Sequence, residues 1–345
     1  MLAATAVSAL LAFAPPASKV LLWYDMEGVT AAAAPRDVQL GGPNYPATRE
    51  SLTEDVNSAI RGLLRAGATE VVLTDGHGSG NPEPDYLLDR LPKGARFDIR
   101  EAPYDPFLEA IDGSFAAVVA VGMHCRAGGR GFLPHTYLGH TRWRMAGHDM
   151  NESMIVATSA GRFGVPLIMV TGDDALRDEI AAFSPATAYV TVKKAVSAEE
   201  AQPRPREEVS REIEEAAARA FTERARVKPW QPLGAGAFDN ELGYLFKEMA
   251  ALALNYPGAR VVDDKAIGLG ARDFVEAYQA FRALVFFTAE VRQRLVLDNV
   301  RKVTEGSDVM ARAQALWPKR SERTYVPTGT TIDAKGNARG THGYR

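Results

Sequence analysis

The chain of 345 residues is 46% hydrophobic and 24% charged, values ordinary for a globular protein, and is long enough for one large domain or two smaller ones. A net charge of -3 gives no basic footprint and argues against nucleic acid as a partner. The single cysteine, Cys125, excludes an intramolecular disulfide and a thiolate zinc cluster, so any metal would rest mainly on His, Asp and Glu.

Leu2 to Ala14 is uncharged and rich in Ala and Leu, and Pro15-Pro16 follows. The run is too short for a membrane span. It has the core of a secretory signal, with Ala12-Phe13-Ala14 as a small-x-small cleavage site. No Lys or Arg precedes it, and Pro15 is unfavourable just past a cut. Residues 1–18 therefore read as a signal peptide or a disordered leader. The first places the mature protein in the periplasm or outside the cell, the second in the cytoplasm.

Val20 to Tyr24 is an apolar strand that runs straight into Asp25 and Glu27. Side chains at i and i+2 of an extended chain share one side, so both acids face one cleft. Val29 to Ala47 reads as a loop. Ser51 and Glu54 have capping-box spacing, apolar residues follow at helical intervals, and Gly67 is placed to end that helix. Glu70 to Thr74 is the next strand, so the order is β-α-β and the pair parallel. A short helix is expected over Tyr86 to Leu91, a strand over Phe97 to Arg100, a helix over Pro106 to Ile111 and a buried strand over Phe115 to Val121. Further strands are expected over Thr141 to Met145 and Pro166 to Thr171, with a helix over Asn151 to Ala160 between them. The character changes near Glu199, where a charged helical stretch runs to Arg226. A mixed segment and a helix over Asp273 to Phe287 follow, then a helical stretch over Val309 to Leu316. The expected fold is α/β, a mostly parallel sheet with flanking helices followed by a smaller mixed α/β segment. The expected divisions are 19–198, 199–324 and a disordered tail over 325–345.

Five of the six histidines fall between positions 77 and 148, and the sixth is His342 in the tail. His77 and His124 lie just past strand ends, as do Asp25 and Glu27. Ligands of open parallel sheets bind outside the carboxyl ends of the strands, and these four residues are of the N/O type that zinc accepts. Two neighbouring acids repel unless a cation lies between them. The glycine-rich Asp75 to Gly80 run also suggests a phosphate or dinucleotide loop, although the G-x-G-x-x-G spacing is missing and Pro82 and Pro84 intervene. An acid in the first helical turn, such as Glu152, suits the helix dipole with or without a metal. His140 and His148 are spare.

Asp25-Met26-Glu27-Gly28, Asp75-Gly76-His77, Gly122-Met123-His124, Pro134-His135, Asn151-Glu152 and Gly172-Asp173-Asp174 follow one another in an order that resembles the M55 family of metallopeptidases, the D-aminopeptidases. The resemblance runs from about Lys19 to about Phe287. It implies a two-zinc hydrolase. Asp25 would bridge two Zn2+ ions, Glu27 and His124 would complete one site, and His77 and Glu152 the other. His135 would be the catalytic residue. We expect it to act as an acid or base on a metal-activated water rather than as a covalent nucleophile. The resemblance further implies short peptide substrates with N-terminal D-amino acids, of the D-Ala-D-Ala type, and a ring-like homo-oligomer, a decamer. The leader and the extension past Phe287 depart from the family pattern and bear on assembly more than on chemistry. The readings set beside this one are another dizinc amidohydrolase on the same scaffold and a nucleotide-binding or noncatalytic metal-binding module.

Overall fold

Residues alternate between two cores from the first strand onward. In β1 (Lys19–Tyr24), Val20, Leu22 and Tyr24 pack on one face of the sheet and Leu21 and Trp23 on the other. A strand buried on both faces reads as a continuous apolar run, which is why the sequence shows no alternation there. The computed structural model describes residues 18–303, apart from 80, 82, 99–104, 140 and 234–236, together with 328–332 and 338–341.

Strands β2 (Glu70–Asp75), β3 (Ala95–Phe97), β4 (Ala117–Met123), β7 (Leu167–Asp173), β8 (Ala188–Ala195) and β9 (Ala201–Pro203) complete the main sheet. Its order is β3-β2-β1-β4-β7-β8-β9, parallel throughout except for β9. The chain leaves β1 toward β2 on one side and returns to β4 on the other. The crevice between the carboxyl ends of β1 and β4 is therefore a topological switch point.

One face of the sheet is covered by α1 (Tyr45–Arg65) and α5 (Arg206–Thr222). They meet at backbone distance, because a Cβ on Gly62 would lie 2.1 Å from the Glu214 carbonyl oxygen. The other face carries α2 (Pro106–Glu109), α3 (Glu152–Gly161), α4 (Asp174–Phe183) and the front of α7 (Phe274–Val303). A second, antiparallel sheet lies beneath α7. Its order is β11-β12-β10-β5-β6, from β5 (Thr141–Met145), β6 (His148–Asp149), β10 (Phe238–Tyr244), β11 (Arg260–Val261) and β12 (Ala266–Ala271). Here one face is wet, and β5 alternates buried Thr141, Trp143 and Met145 with exposed arginines. Trp143 stacks on Phe281 of α7 at 4.5 Å between centroids. Because β5 pairs with β10, this sheet draws strands from both sides of position 199.

Several boundaries depart from expectation. Helix α1 starts at Tyr45, after Asn44, with Pro46 in its first turn. Ser51 is mid-helix, and its hydroxyl accepts from the Ala31 N–H at 3.1 Å instead of capping. Proline is restricted to a helix's first turn, and here that signal outranks the Ser/Glu spacing. The short helix expected near Tyr86 is a 3-10 turn over Leu88–Arg90. Helix α7 runs on to Val303, since no Gly or Pro interrupts it. Residues expected to be irregular form an antiparallel pair, β13 (Thr328–Ile332) with β14 (Ala338–Thr341). Residues 1–17, His140, His342 and the helical stretch expected over Val309 to Leu316 lie outside the described residues. No helix among the described residues is long and apolar enough to cross a membrane.

At the switch point the chains after β1 and β4 touch. The Asp25 N–H donates to the Val121 carbonyl at 2.9 Å and the Gly28 N–H to the Gly122 carbonyl at 2.7 Å. A Cβ on Gly28 would lie 2.0 Å from the Met123 carbonyl oxygen. One on Gly122, whose φ is +79°, would lie 2.1 Å from that of Asp25. The loop that follows is tied from several sides. Asp55 accepts from the Thr30 N–H at 2.8 Å, Asp37 from the Ala33 and Ala34 N–H groups, and Lys193 Nζ donates to the Glu27 and Ala32 carbonyls at 2.6 Å each. Lys193 is fully buried over the Phe132 ring. Burial pulls its ammonium down to about 7, against the nearby charges of Asp173, Asp55, Glu27 and Asp37.

Gly28→Ala and Gly122→Ala should each lower the unfolding free energy by more than about 2 kcal/mol in denaturant titrations. Lys193→Met should lower it by about 2–3 kcal/mol at pH 9, where the loss is that of the donor to the buried Glu27 and Ala32 carbonyls. The folded-state value for Lys193 lies below the unfolded value of about 10.4. Between the two the unfolded chain holds more protons, so stability attributable to this group rises with pH over that window. The methionine variant should lose that slope in unfolding curves recorded from pH 7 to 9.

Candidate metal centre

Six side chains converge at the carboxyl ends of β1, β2 and β4. Asp25 and Glu27 follow β1, His77 follows β2 and His124 follows β4. His135 comes from the loop between β4 and β5. Glu152 opens α3, which Asn151 caps by accepting from the Met154 N–H at 2.8 Å. Asp25, Glu27, His124 and Glu152 are each 5% exposed or less. The His135 side chain is the most open of the six, at 24%.

Asp25 is at the centre. Its Oδ1 lies 3.0 Å from His77 Nδ1 and its Oδ2 lies 3.4 Å from His124 Nε2. Glu27 Oε2 is also 3.0 Å from His77 Nδ1, but that nitrogen aligns with Asp25, and Glu27 Oε2 is left buried without a hydrogen bond. His124 Nε2 faces Glu152 Oε1 at 3.6 Å and is likewise buried without a hydrogen bond. His135 Nε2 lies 4.0 Å from Glu27 and 3.9 Å from Glu152, and its ring stacks on that of His124 at 3.9 Å between centroids.

Each histidine has its other nitrogen against a backbone carbonyl. His77 Nε2 meets Val38 O at 2.8 Å, His124 Nδ1 meets Cys125 O at 3.0 Å and His135 Nδ1 meets Leu133 O at 2.8 Å. A carbonyl only accepts, so each of these nitrogens carries the proton. The opposite nitrogen of every ring is aimed at the carboxylates. This is the arrangement that orients metal-ligating imidazoles.

Electrostatics agree with the geometry. Burial alone would lower the affinity of His77 and His124 for a second proton. The charges of Glu27 and Asp25 on His77, and of Glu152 and Asp25 on His124, instead hold both well above the usual histidine range. Burial would raise the Asp25 carboxyl, yet its polar contacts with Glu27, His124 and His77 keep it well below the usual carboxylate range. The cluster concentrates negative charge and holds positive charge in return. Without a metal, protons on the two rings meet that demand.

The six atoms fall into two groups, Asp25 with Glu27 and His77, and His124 with His135 and Glu152. The resemblance implied another partition, Glu27 with His124 and His77 with Glu152, with Asp25 shared by both; here Asp25 falls with Glu27 and His77, and its other oxygen lies 3.4 Å from His124. His148 lies outside the cluster, against Trp230. Cys125 is buried beside Asp173, where burial and the charges of Glu179 and Asp173 push its thiol up and make it a poor ligand. Asp173 caps α4 and also accepts from the Phe132 N–H at 2.7 Å, which anchors the loop that carries His135. Asp75 accepts from the His77 N–H at 2.9 Å and from the Tyr24 hydroxyl at 2.8 Å, so the glycine-rich loop after β2 presents a histidine. No helix of the dinucleotide-binding kind follows that loop among the described residues. Sequence reasoning missed Lys193 and Tyr137. The first, beside Lys194 at the end of the β-branched run Val190 to Val192, gave little signal. Tyr137, which donates its backbone N–H to Glu152 Oε1 at 2.7 Å, gave none.

Comparison with known proteins points the same way. The model of the M55 peptidase family, described as D-aminopeptidase, matches residues 18–283. A D-aminopeptidase of Bacillus subtilis strain 168 is 28% identical over 267 residues, spanning 76% of this chain and 94% of that protein. A solved structure, the Zn-dependent D-aminopeptidase DppA from Bacillus subtilis, described as a self-compartmentalizing protease, matches with a TM-score of 0.72 at 25% identity, over 79% of this chain and 98% of its own. The stretch that the family model matches contains the whole doubly covered sheet and all six converging side chains, and the chain belongs to the M55 family of D-aminopeptidases.

Proposed function

We propose that the protein is a zinc-dependent aminopeptidase that removes N-terminal D-amino acids from short peptides, D-Ala-D-Ala among them. One observation carries this reading: three histidines each give one nitrogen to a backbone carbonyl and aim the other at three buried carboxylates. The donor set fits zinc, which takes imidazole nitrogen and carboxylate oxygen together. The buried atoms Glu27 Oε2 and His124 Nε2, which lack hydrogen bonds, are the unmet demand that such an ion would satisfy. The zinc dependence of the Bacillus DppA supports the same choice.

Asp25 would serve both ions, since its two oxygens face separate histidines. Glu27, His77, His124 and Glu152 would complete the two sites. When bound, zinc polarises a scissile carbonyl and lowers the pKa of an attacking water. The protein's own part is to place a proton carrier beside that chemistry. His135 has its Nδ1 proton tied to Leu133 O, its Nε2 directed at the cluster, and the most open side chain of the six. It would accept a proton at Nε2 from the attacking water and return it to the leaving amine. Glu27 and Glu152, about equally distant from Nε2, would steady the imidazolium between these steps. Assembly into a homo-oligomer is proposed from the self-compartmentalizing relative, and the ring-like decamer is the form that the family resemblance implies.

The purified protein should contain about two zinc ions per chain and hydrolyse D-Ala-D-Ala, with loss of activity on chelation and recovery on adding zinc. Exclusive cleavage of L-Ala dipeptides, or of simple amides, would move the assignment to another amidohydrolase on this scaffold. Asp25→Ala should empty both sites by metal analysis, whereas Glu27→Ala should weaken mainly one. His135→Ala should retain both metals while kcat falls by about 10²–10⁴; loss of metal from this variant would make His135 a ligand instead. Because metal must displace protons from His77 and His124, zinc affinity should rise between pH 6 and 8. Calorimetry in buffers of different ionisation enthalpy should register the released protons.

A further inference from the structure

His135 lies between two residues in a backbone conformation that L side chains rarely adopt, Leu133 with φ 47° and Tyr137 with φ 67°. At Tyr137 the chain makes its tightest reversal. The Leu138 N–H donates to the Thr136 carbonyl at 2.8 Å, a hydrogen bond across one residue. A positive φ inside such a bond is the rare, strained form of the γ-turn. Strain of this kind persists only where the surroundings over-determine it, and it clusters at functional sites. The strained residue's N–H is the one that donates to Glu152 Oε1.

What holds Tyr137 comes from far along the chain. Arg282 of α7 donates from Nε to the Tyr137 hydroxyl at 3.0 Å and ion-pairs through Nη1 with the buried Asp105 at 2.8 Å. Tyr278, one turn earlier on α7, donates to Asp105 at 3.1 Å. The Tyr137 ring is also boxed by Phe107, Phe281 and Phe286. The guanidinium fork thus bridges the cap of α2 and the γ-turn beside the metal cluster.

We propose that Arg282 is a positioning residue for the metal centre: through the Tyr137 hydroxyl it fixes the γ-turn whose N–H orients Glu152, and with it the loop that carries His135. The inference rests on the zinc reading of the cluster. It makes α7, which contributes no side chain to the six, part of what sets the geometry of one metal site. Packing alone does not require this. A phenylalanine at 137 would fill the same box but give Arg282 no acceptor.

The test is Tyr137→Phe in the full-length protein, with cobalt(II) as a spectroscopic probe and zinc for affinity. The variant should keep the wild-type circular dichroism. It should show altered cobalt d–d bands and a loss of about tenfold in affinity at one of the two sites, the range expected when a partner of a ligating group is disturbed. Its kcat should fall with KM little changed. Tyr137→Gly, which tolerates the positive φ but loses the clamp entirely, should give the larger loss at the same site. Unaltered cobalt bands and unaltered affinities in Tyr137→Phe would overturn the proposal. Should that variant not fold, the pair Asp105→Asn with Arg282→Met, which removes the clamp without stranding a buried charge, is read by the same measurements with the same two outcomes. Wild-type protein that binds neither cobalt nor zinc would overturn the metal reading itself, a failure visible before any variant is made.

Discussion

Mutual repulsion among Asp25, Glu27 and Glu152 is the constraint around which the rest of this structure is arranged. Three carboxylates buried around the same histidines cannot all stay ionised without compensating positive charge. His77 and His124 supply it in the protein alone, and both are driven toward their cationic forms for that reason. The same charge balance makes the cluster receptive to divalent cations. Proton and metal compete for the same nitrogens, and the fold supplies the oxygens.

That concentration of charge needs a rigid frame. The frame is the switch point between β1 and β4, where backbone meets backbone through Gly28 and Gly122. Behind it, Lys193 ties the loop after Glu27 to β8. In front, Asp173 anchors the start of the loop that carries His135, and the Tyr137 turn closes it. The segments that carry these residues are therefore held by polar contacts to elements distant in sequence.

Much of this was legible in the residues. β1, β2, β4 and β7 announce themselves as apolar runs bounded by Asp, Gly and His, and β5 by its alternation. Strand-end position alone brought Asp25, Glu27, His77 and His124 to one edge, and ordered motifs added His135 and Glu152. What failed was local capping logic at Ser51. A Ser/Glu pair three apart also occurs inside helices, and Pro46 carried the truer signal. What could not be seen were the long-range ties. Lys193 to Glu27 and Arg282 to Tyr137 join residues separated by 166 and 145 positions. No spacing rule reaches that far. The division of the six residues into two groups depends on side-chain direction to within an ångström, which sequence order does not encode.

The three imidazoles are steered by the carbonyls of Val38, Cys125 and Leu133 rather than by side chains. Every amino acid has that carbonyl. The orientation of the rings is thus insulated from mutation at the positions that impose it, provided the main-chain path is kept. Drift can alter the identity of those three residues, and with it the packing and polarity around the centre, without turning a histidine away from its target. The chemistry is inherited through the course of the backbone, and the neighbouring side chains are left free to diversify.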